Sequence, residues 1–154
     1  MDQNNREEVL QLLSKVVELL SPEEKQRIYA QLQGKETIPL SMFRNTCSGL
    51  EALVFYLKEV HHRSVNEIAT LLNRKKTTIY TSYHNAQKKK AHISLNHHIL
   101  VPLYFFSQRQ YSVLEILVSY LRDVERLSVA QISQELHKSP STIKTVYGRY
   151  KKKC

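Results

Sequence analysis

Apolar side chains recur every three or four positions in several stretches of the chain, and each such stretch predicts an amphipathic helix. In the clearest one, Ser48 and Glu51 precede the apolar run at the spacing of a capping box. Ser64 and Glu67 repeat that pattern before a shorter helix, and a third helix follows the turn at 73–74. The predicted buried positions of these helices are Leu50, Leu53, Val54, Leu57, Val60, Val65, Ile68, Ala69, Leu72, Ile79, Tyr83 and Ala86.

The whole pattern returns 64 residues later without a gap, which makes it an internal repeat. Of the 41 positions aligned between residues 50–90 and 114–154, 17 are identical. Upstream, residues 38–43 match residues 101–106 after a shift of one position. The start signals of the second copy are Ser112 with Glu115, Ser128 with Gln131, and Ser139 followed by Pro140. Its predicted buried positions are Val129, Ile132, Ser133, Leu136, Ile143, Tyr147 and Tyr150.

The turn before the third helix is predicted to have a left-handed residue in both copies. Asn73 and His137 occupy equivalent positions there, and both residue types tolerate that backbone conformation. The third helix of the first copy has Lys75 where the second has a serine, and is expected to start more weakly. The sequence therefore predicts an all-α fold with two tandem three-helix units, at residues 37–95 and 96–154.

Residues 6–20 carry a broad apolar stripe, which predicts a helix of about four turns. Together with a second short helix it would form an N-terminal helical hairpin over residues 1–36. Two short helices cannot bury so wide a stripe by themselves. The hairpin is therefore expected either to pack on the first unit or to form a homodimer through residues 6–33, and both alternatives stay open.

Start and stop signals outline the second helix of that hairpin. Ser21 supplies an N-cap, Pro22 suits the first helical position, and Glu24 completes a capping box. The apolar pattern then continues to Leu32, with Gly34 as the expected C-cap.

Residues 91–111, between the two copies, are too apolar for a free linker. We expect this stretch to be packed as an extended segment beside residues 38–43. Such packing would fix the two copies relative to each other. The positions expected to be packed are Ile99, Val101, Leu103 and Phe106.

Positive charge is concentrated in the two repeat copies. The formal net charge of +9 divides into −2 over residues 1–36, +6 over 37–95 and +5 over 96–154. Segregated basic charge favours a polyanionic partner, although a basic surface that only keeps the protein in solution fits the charge equally well. No apolar run reaches the roughly 18–20 residues of a membrane span, and the polar N-terminus does not resemble a signal peptide. A cytoplasmic protein is therefore expected.

Two stretches carry the residues of a DNA-binding motif, RSVNEIATLLNRKKTTIYTSYHNAQKKK at 63–90 and LSVAQISQELHKSPSTIKTVYGRYKKK at 127–153. Each has a serine start, an Ile-Ala or Ile-Ser pair, Thr-Ile after the turn and a basic end. In these features they resemble the helix-turn-helix of bacterial sigma-factor region 4 and of LuxR-type regulators. The resemblance implies that the last helix of each copy enters the DNA major groove. The missing glycine in the turn and the tandem arrangement depart from those families.

The resemblance places DNA contacts at the start of each third helix and on the basic residues around it. Hydroxyl groups can bond to base edges or phosphates, and a lysine can reach a guanine edge or a phosphate. Bracing of the turn explains Thr78 and Thr142 equally well, and the terminal lysines could be solvated helix ends. The predicted DNA-binding residues are Arg74, Lys75, Lys76, Thr77, Thr78, Tyr80, Thr81, His84, Lys88, Lys138, Ser139, Ser141, Thr142, Lys144, Thr145, Arg149 and Lys152.

The sequence thus predicts a nucleoid-associated, double-stranded DNA-binding protein, a transcriptional regulator that uses two recognition helices in the major groove. The alternatives are a protein-interaction adaptor of the transcription machinery and a nucleoid architectural protein. RNA polymerase or another transcription protein, and a second copy of the chain, are further candidate partners. No enzyme, cofactor or metal site is predicted, because no catalytic motif occurs and the histidines at 61–62 and 97–98 have no completing ligands.

Overall fold

The computed structural model of the protein describes residues 3–25, 36–44, 46–95 and 99–154. The chain divides into two compact units, residues 1–35 and 36–154. Within the described ranges, β-structure is confined to one pair of three-residue strands, which confirms the predicted all-α class. No helix in this part of the chain is both long enough and apolar enough to cross a membrane.

The N-terminal compact unit, residues 1–35, contains helix α1 (Gln3–Glu18). None of the side chains of α1 is buried. The apolar stripe predicted for this helix is present but exposed, with Leu10 and Leu12 each 63% accessible. The apolar face of α1 therefore remains accessible.

The second helix of the N-terminal compact unit begins where the sequence predicts. Ser21 and Glu24 form a reciprocal capping box with donor–acceptor distances of 2.9 and 3.2 Å. Residues 22–25 are helical. The predicted end of this helix, at Leu32 and Gly34, lies outside the described residues.

The first repeat copy forms helices α2 (Gly49–Glu59), α3 (Val65–Leu71) and α4 (Lys76–Lys88). Both predicted capping boxes are present before α2 and α3, so each serine side chain and each glutamate satisfies an amide at the helix start. Asn73 has a φ angle of 52°, the left-handed conformation predicted for the turn. Lys75 precedes α4 without a side-chain capping bond, which confirms the weaker start.

The second copy forms α5 (Val113–Ser119), a π-helical turn (Tyr120–Val124), α6 (Val129–Leu136) and α7 (Pro140–Lys153). The capping boxes predicted before α5 and α6 are present. His137 is left-handed, with φ 52° and ψ 44°. Ser139 caps α7 by accepting a hydrogen bond from the Thr142 amide at 3.2 Å. The π-helical turn has no counterpart in α2, and nothing in the apolar spacing distinguishes the two helices.

Most predicted core positions of the repeats are buried. They include Leu53, Val54, Leu57, Ile68, Ala69, Leu72, Ile79, Ala86, Ile132, Leu136 and Ile143. Tyr83 and Tyr147 are half-buried, because each phenol needs a polar partner. Their hydroxyl groups donate to the carboxylates of Glu59 and Asp123 at the edge of the core. The other predicted positions that are half-buried are Leu50, Val60, Val65, Val129, Ser133 and Tyr150.

The segments that precede α2 and α5 pair as a short antiparallel sheet. Strand β1 (Thr37–Pro39) lies against β2 (Leu100–Pro102), with Ile38 directly opposite Val101. One 3-10 turn follows each strand, at Leu40–Arg44 and Leu103–Ser107. This pairing places both repeat copies in the one compact unit.

The sheet confirms that the apolar stretch between the copies is packed beside residues 38–43. Val101, Leu103 and Phe106 are buried, whereas Ile99 is half-buried. The phenyl ring of Phe106 lies 5.7 Å from that of Phe43, measured between centroids. The extended conformation ends at Pro102, sooner than the apolar run suggested.

Candidate nucleic-acid interface

The third helix of each copy turns one face to the core and the other outwards. In α4 the buried residues are Ile79, Ser82 and Ala86, and in α7 they are Ile143 and Val146. Three predicted contact residues, Arg74, Lys138 and Thr142, are half-buried. The exposed ones are Lys75, Lys76, Thr77, Thr78, Tyr80, Thr81, His84, Lys88, Ser139, Ser141, Lys144, Thr145, Arg149 and Lys152. The structure thus gathers each set on the outward side of its own helix.

The two outward faces differ in chemistry. In α4, Tyr80 is 57% exposed, and its ring meets the His84 ring edge-on at a centroid distance of 4.6 Å. The equivalent positions of α7 hold Lys144 and Gly148. The aromatic pair is therefore replaced by one positively charged side chain and one residue without a side chain. The site where a side chain of Gly148 would begin has no atom within 4 Å. The first face therefore offers stacking surface, and the second offers positive charge.

The hydroxyl groups of the two helices are engaged differently. Thr142 shares a hydrogen bond of 2.8 Å with the Ser139 hydroxyl, and its amide is held by the same oxygen. Thr142 therefore braces the turn, which is the alternative that sequence reasoning left open. The hydroxyl of Thr145 donates to the Ser141 carbonyl at 3.0 Å. In contrast, the Thr78 hydroxyl has no hydrogen-bond partner among the residues that the structure describes, and it remains accessible to a ligand.

Two of the terminal lysines, although exposed, form ion pairs that anchor the third helices. Lys89 donates to the carboxylate of Glu51 at 2.8 Å, and Lys153 donates to that of Glu115 at 2.8 and 3.1 Å. Each tether joins the end of a third helix to the start of the first helix of its own copy. Sequence reasoning missed both, although the identity of all four residues between the copies is a signal that could have found them.

The remaining terminal lysines separate into two groups. Lys151 lies over the Tyr147 ring, with its ammonium nitrogen 5.4 Å from the centroid. Lys88 and Lys152, the two predicted as phosphate contacts, are exposed and form no ion pair with any residue that the structure describes. Lys90 is likewise exposed and without an ion pair to any described residue, so the charges of these three terminal lysines are uncompensated.

Glu51 is a buried acid held in its charged form. Burial by itself raises the pKa of this carboxyl, but the hydrogen bonds from Lys89 and from the Ser48 amide outweigh it, and the net pKa lies below the ordinary value. In return, the hydrogen bond to Glu51 raises the pKa of Lys89. At neutral pH both groups are charged, so the end of α4 is fixed on α2.

A cleft of about 460 Å³ lies between the copies, where α2 and α5 begin. Its walls include Gly49 and Val113 at the helix starts, and Arg74 and Lys138 from the turns before α4 and α7. Because both turns border one cleft, the N-terminal ends of both third helices lie next to it.

Arg74 is one of the two cations among the described residues that line this cleft. Its guanidinium donates to the backbone carbonyl of Tyr111 at 3.1 Å, while its Nε is buried and has no hydrogen-bond partner within the described part of the chain. Burial lowers the pKa of Arg74, and the positive charge of nearby Arg109 lowers it further. Sequence reasoning did not select Arg109, which stands in a loop. Arg74 and Arg109 thus repel each other beside the start of α4, and a bound anion would relieve this repulsion.

Histidine, cysteine and carboxylate side chains do not converge on a metal site within the described residues, where no group of three or more is close enough to hold an ion. The pair at 97–98 lies outside that part of the chain. His61 packs its ring against Tyr56 at a centroid distance of 5.1 Å.

No protein-family model, curated protein or solved structure matches this chain. The likeness to sigma-factor region 4 and to LuxR-type regulators therefore remains a hypothesis based on sequence motifs.

Proposed function

We propose that the chain binds double-stranded DNA through α4 and α7, used as the recognition helices of two helix-turn-helix units, and that it regulates transcription. The strongest support is that the outward start of each helix is exposed and carries hydroxyl, aromatic or cationic groups, while the opposite face is anchored in the core. A helix presented in this way can enter a major groove with its N-terminal half.

Phosphate contacts would come from the residues around the helix starts. Lys75 and Lys76 are exposed there, and Arg74 and Lys138 border the cleft between the two helices. Free amide groups at a helix N-terminus add favourable interactions with phosphate oxygens. These contacts would position the protein without selecting a sequence.

Base contacts would come from the next turn of each helix. In α4 the exposed Thr77, Tyr80 and Thr81 offer hydroxyl groups and a thymine-contacting methyl, and in α7 Lys144 can donate to guanine. Because the two sets differ, the two helices would prefer different bases.

A salt titration tests this proposal. If cationic side chains neutralise phosphates, the logarithm of the affinity for duplex DNA falls with the logarithm of salt concentration by about 0.9 for each contact. We expect a steep line for native protein on a random-sequence duplex. A flat response would contradict DNA binding and favour the protein-interaction adaptor.

The accessible apolar face of α1 supports a protein partner in addition to DNA. An exposed stripe of leucine and valine fits a second helix of the same kind. We propose a homodimer through residues 6–33, of which 26–33 lie outside the described residues, with RNA polymerase or another transcription protein as the alternative occupant.

Selection of duplexes from a random library distinguishes a sequence-specific regulator of the nucleoid from an architectural protein. The regulator would enrich a sequence motif, and the architectural protein would enrich none.

A further inference from the structure

Equivalent residues of the two repeat copies meet one another in the strand pair. Ile38 and Val101 correspond in the alignment, and they lie directly opposite each other in an antiparallel register. A translation would leave equivalent segments running in the same direction, whereas a half-turn reverses one of them. The two strands are therefore related by a half-turn about an axis that passes between Ile38 and Val101.

The backbone hydrogen bonds beside this pair obey the same symmetry. The amide of Leu40 donates to the carbonyl of Ile99 at 2.9 Å. The amide of Leu103, which is equivalent to Leu40, donates to the carbonyl of Glu36 at 3.0 Å. Glu36 and Ile99 are themselves equivalent, so each bond is the mate of the other.

Two further pairs of equivalent residues continue the axis into the helices. The rings of Phe43 and Phe106 are in contact at 5.7 Å. At the starts of α2 and α5, a side-chain carbon placed on Gly49 would lie 2.8 Å from a methyl group of Val113. Equivalent residues touch in this way only near a rotation axis, because away from it the rotation separates them.

The axis leads to the face on which both recognition helices begin. Gly49 and Val113, the last pair on the axis, line the cleft that Arg74 and Lys138 also border. Arg74 and Lys138 are equivalent, and each stands directly before the N-cap position of its recognition helix. The two helix starts are therefore arranged about the axis and not one behind the other.

We infer that the DNA site of this protein is an inverted repeat, with its two half-sites in opposite orientation. The inference rests on the proposed DNA-binding function. A protein with a two-fold axis between its recognition helices matches a DNA site with the same symmetry. The inverted repeat in the DNA is expected to be imperfect, because the two helices present different side chains to the bases. Tyr80 and His84 of α4 occupy the positions that Lys144 and Gly148 occupy in α7.

The test makes the two recognition helices alike. The triple variant Ser141→Thr, Lys144→Tyr, Gly148→His gives α7 the outward residues of Thr77, Tyr80 and His84. All three positions are exposed, and the space around Gly148 is open, so the fold has room for the new side chains. Native protein and variant are each used to select duplexes from a random-sequence library, and circular dichroism checks their helix content.

We expect the native protein to enrich a motif with two related half-sites, and the variant to enrich a self-complementary motif. Two identical half-sites in the same orientation, or one half-site alone, would overturn the inverted arrangement while leaving DNA binding intact. No enrichment and no salt-dependent retention by the native protein would overturn the proposed function itself.

A second measurement does not depend on the variant. In the duplex selected by native protein, one half-site is reversed in place with its spacing kept. We expect the affinity to fall at least tenfold, roughly the loss caused by a single mismatched base pair. An unchanged affinity would overturn the inference even if the variant failed to fold.

Discussion

The carboxylate of Glu51 satisfies two partners, the Ser48 amide at 3.0 Å and the Lys89 ammonium at 2.8 Å. Glutamine in its place keeps the capping bond, as Gln131 does before α6, but loses the ion pair. We expect Glu51→Gln to lower the free energy of unfolding at pH 7, because the variant loses the ion pair with Lys89 while the capping bond stays. Urea denaturation measures this.

The same variant makes a prediction about pH. The pKa of Glu51 is lowered in the folded state, so its contribution is complete above the ordinary value of 4.5 and is lost as the pH falls through the folded value. The difference between native protein and Glu51→Gln should therefore shrink below pH 4.5. Glu67→Gln is the matched control, because Glu67 makes a capping box but forms no ion pair with any residue that the structure describes. Equal losses for both variants at pH 7 would show that the tether contributes nothing.

Lys144 and Lys152 lie on one helix but are expected to act differently. Lys144→Ala should change which bases are preferred, because this side chain is exposed on the first turns of α7. Lys152→Ala should weaken binding to all sequences alike and reduce the salt slope by about one. Competition binding on the selected site and on a scrambled duplex measures both effects.

Lys15→Ala, at an exposed position of α1, is the control for loss of charge alone. If Lys144→Ala and Lys152→Ala changed specific and non-specific binding in the same proportion, α7 would not read bases.

At the scale of secondary structure, the two glycines that the structure describes give opposite predictions for stability. Gly49 is closely packed, whereas Gly148 has open space around it. Alanine at Gly49, where α2 meets α5, would bring its methyl group 2.8 Å from a Val113 methyl. We expect Gly49→Ala to destabilise the fold by about 1–3 kcal/mol through overpacking. Gly148→Ala should instead stabilise it by about 0.5–1 kcal/mol, since that helical position has open space around it.

Thermal unfolding of both variants compares the two sites directly. Equal stability changes would mean that the contact between α2 and α5 is loose.

The helices could be predicted from the sequence because their signals are local. Capping boxes such as Ser64 with Glu67, and the left-handed Asn73 and His137, depend on neighbours within a few residues. The contacts that hold the third helices depend on partners far along the chain, as Lys89 does on Glu51, and periodicity does not report them. The burial of Ser82 and Val146 in place of the neighbouring tyrosines has the same origin, because the phenols turn to carboxylates on other helices.

For the whole molecule, the exposed stripe of α1 predicts self-association. The double variant Leu10→Glu, Leu13→Glu places charges on that stripe without removing any buried contact, because α1 has no buried side chain. We expect native protein to sediment at twice the chain mass of 18.0 kDa and the variant at the single mass, with the helix content of the variant unchanged.

Gln11→Glu, on the same helix but outside the stripe, is the control. A native protein that sediments as a monomer would leave the stripe to a different partner, and the variant should then be tested for loss of RNA polymerase recovery.

The contact between Gly49 and Val113 could not exist between two identical subunits. In an isologous dimer each residue on the axis meets its own copy, so this site would hold either two glycines and a gap or two valines and a clash. Joining both halves in one polypeptide removes that restriction, and a small residue can complement a large one. The same freedom lets Arg44 pair with Glu135 at 2.7 Å, although a leucine, Leu71, stands at the position equivalent to Glu135. In a single chain, equivalent positions on the two sides of the axis can therefore change independently. In a homodimer every substitution appears on both sides.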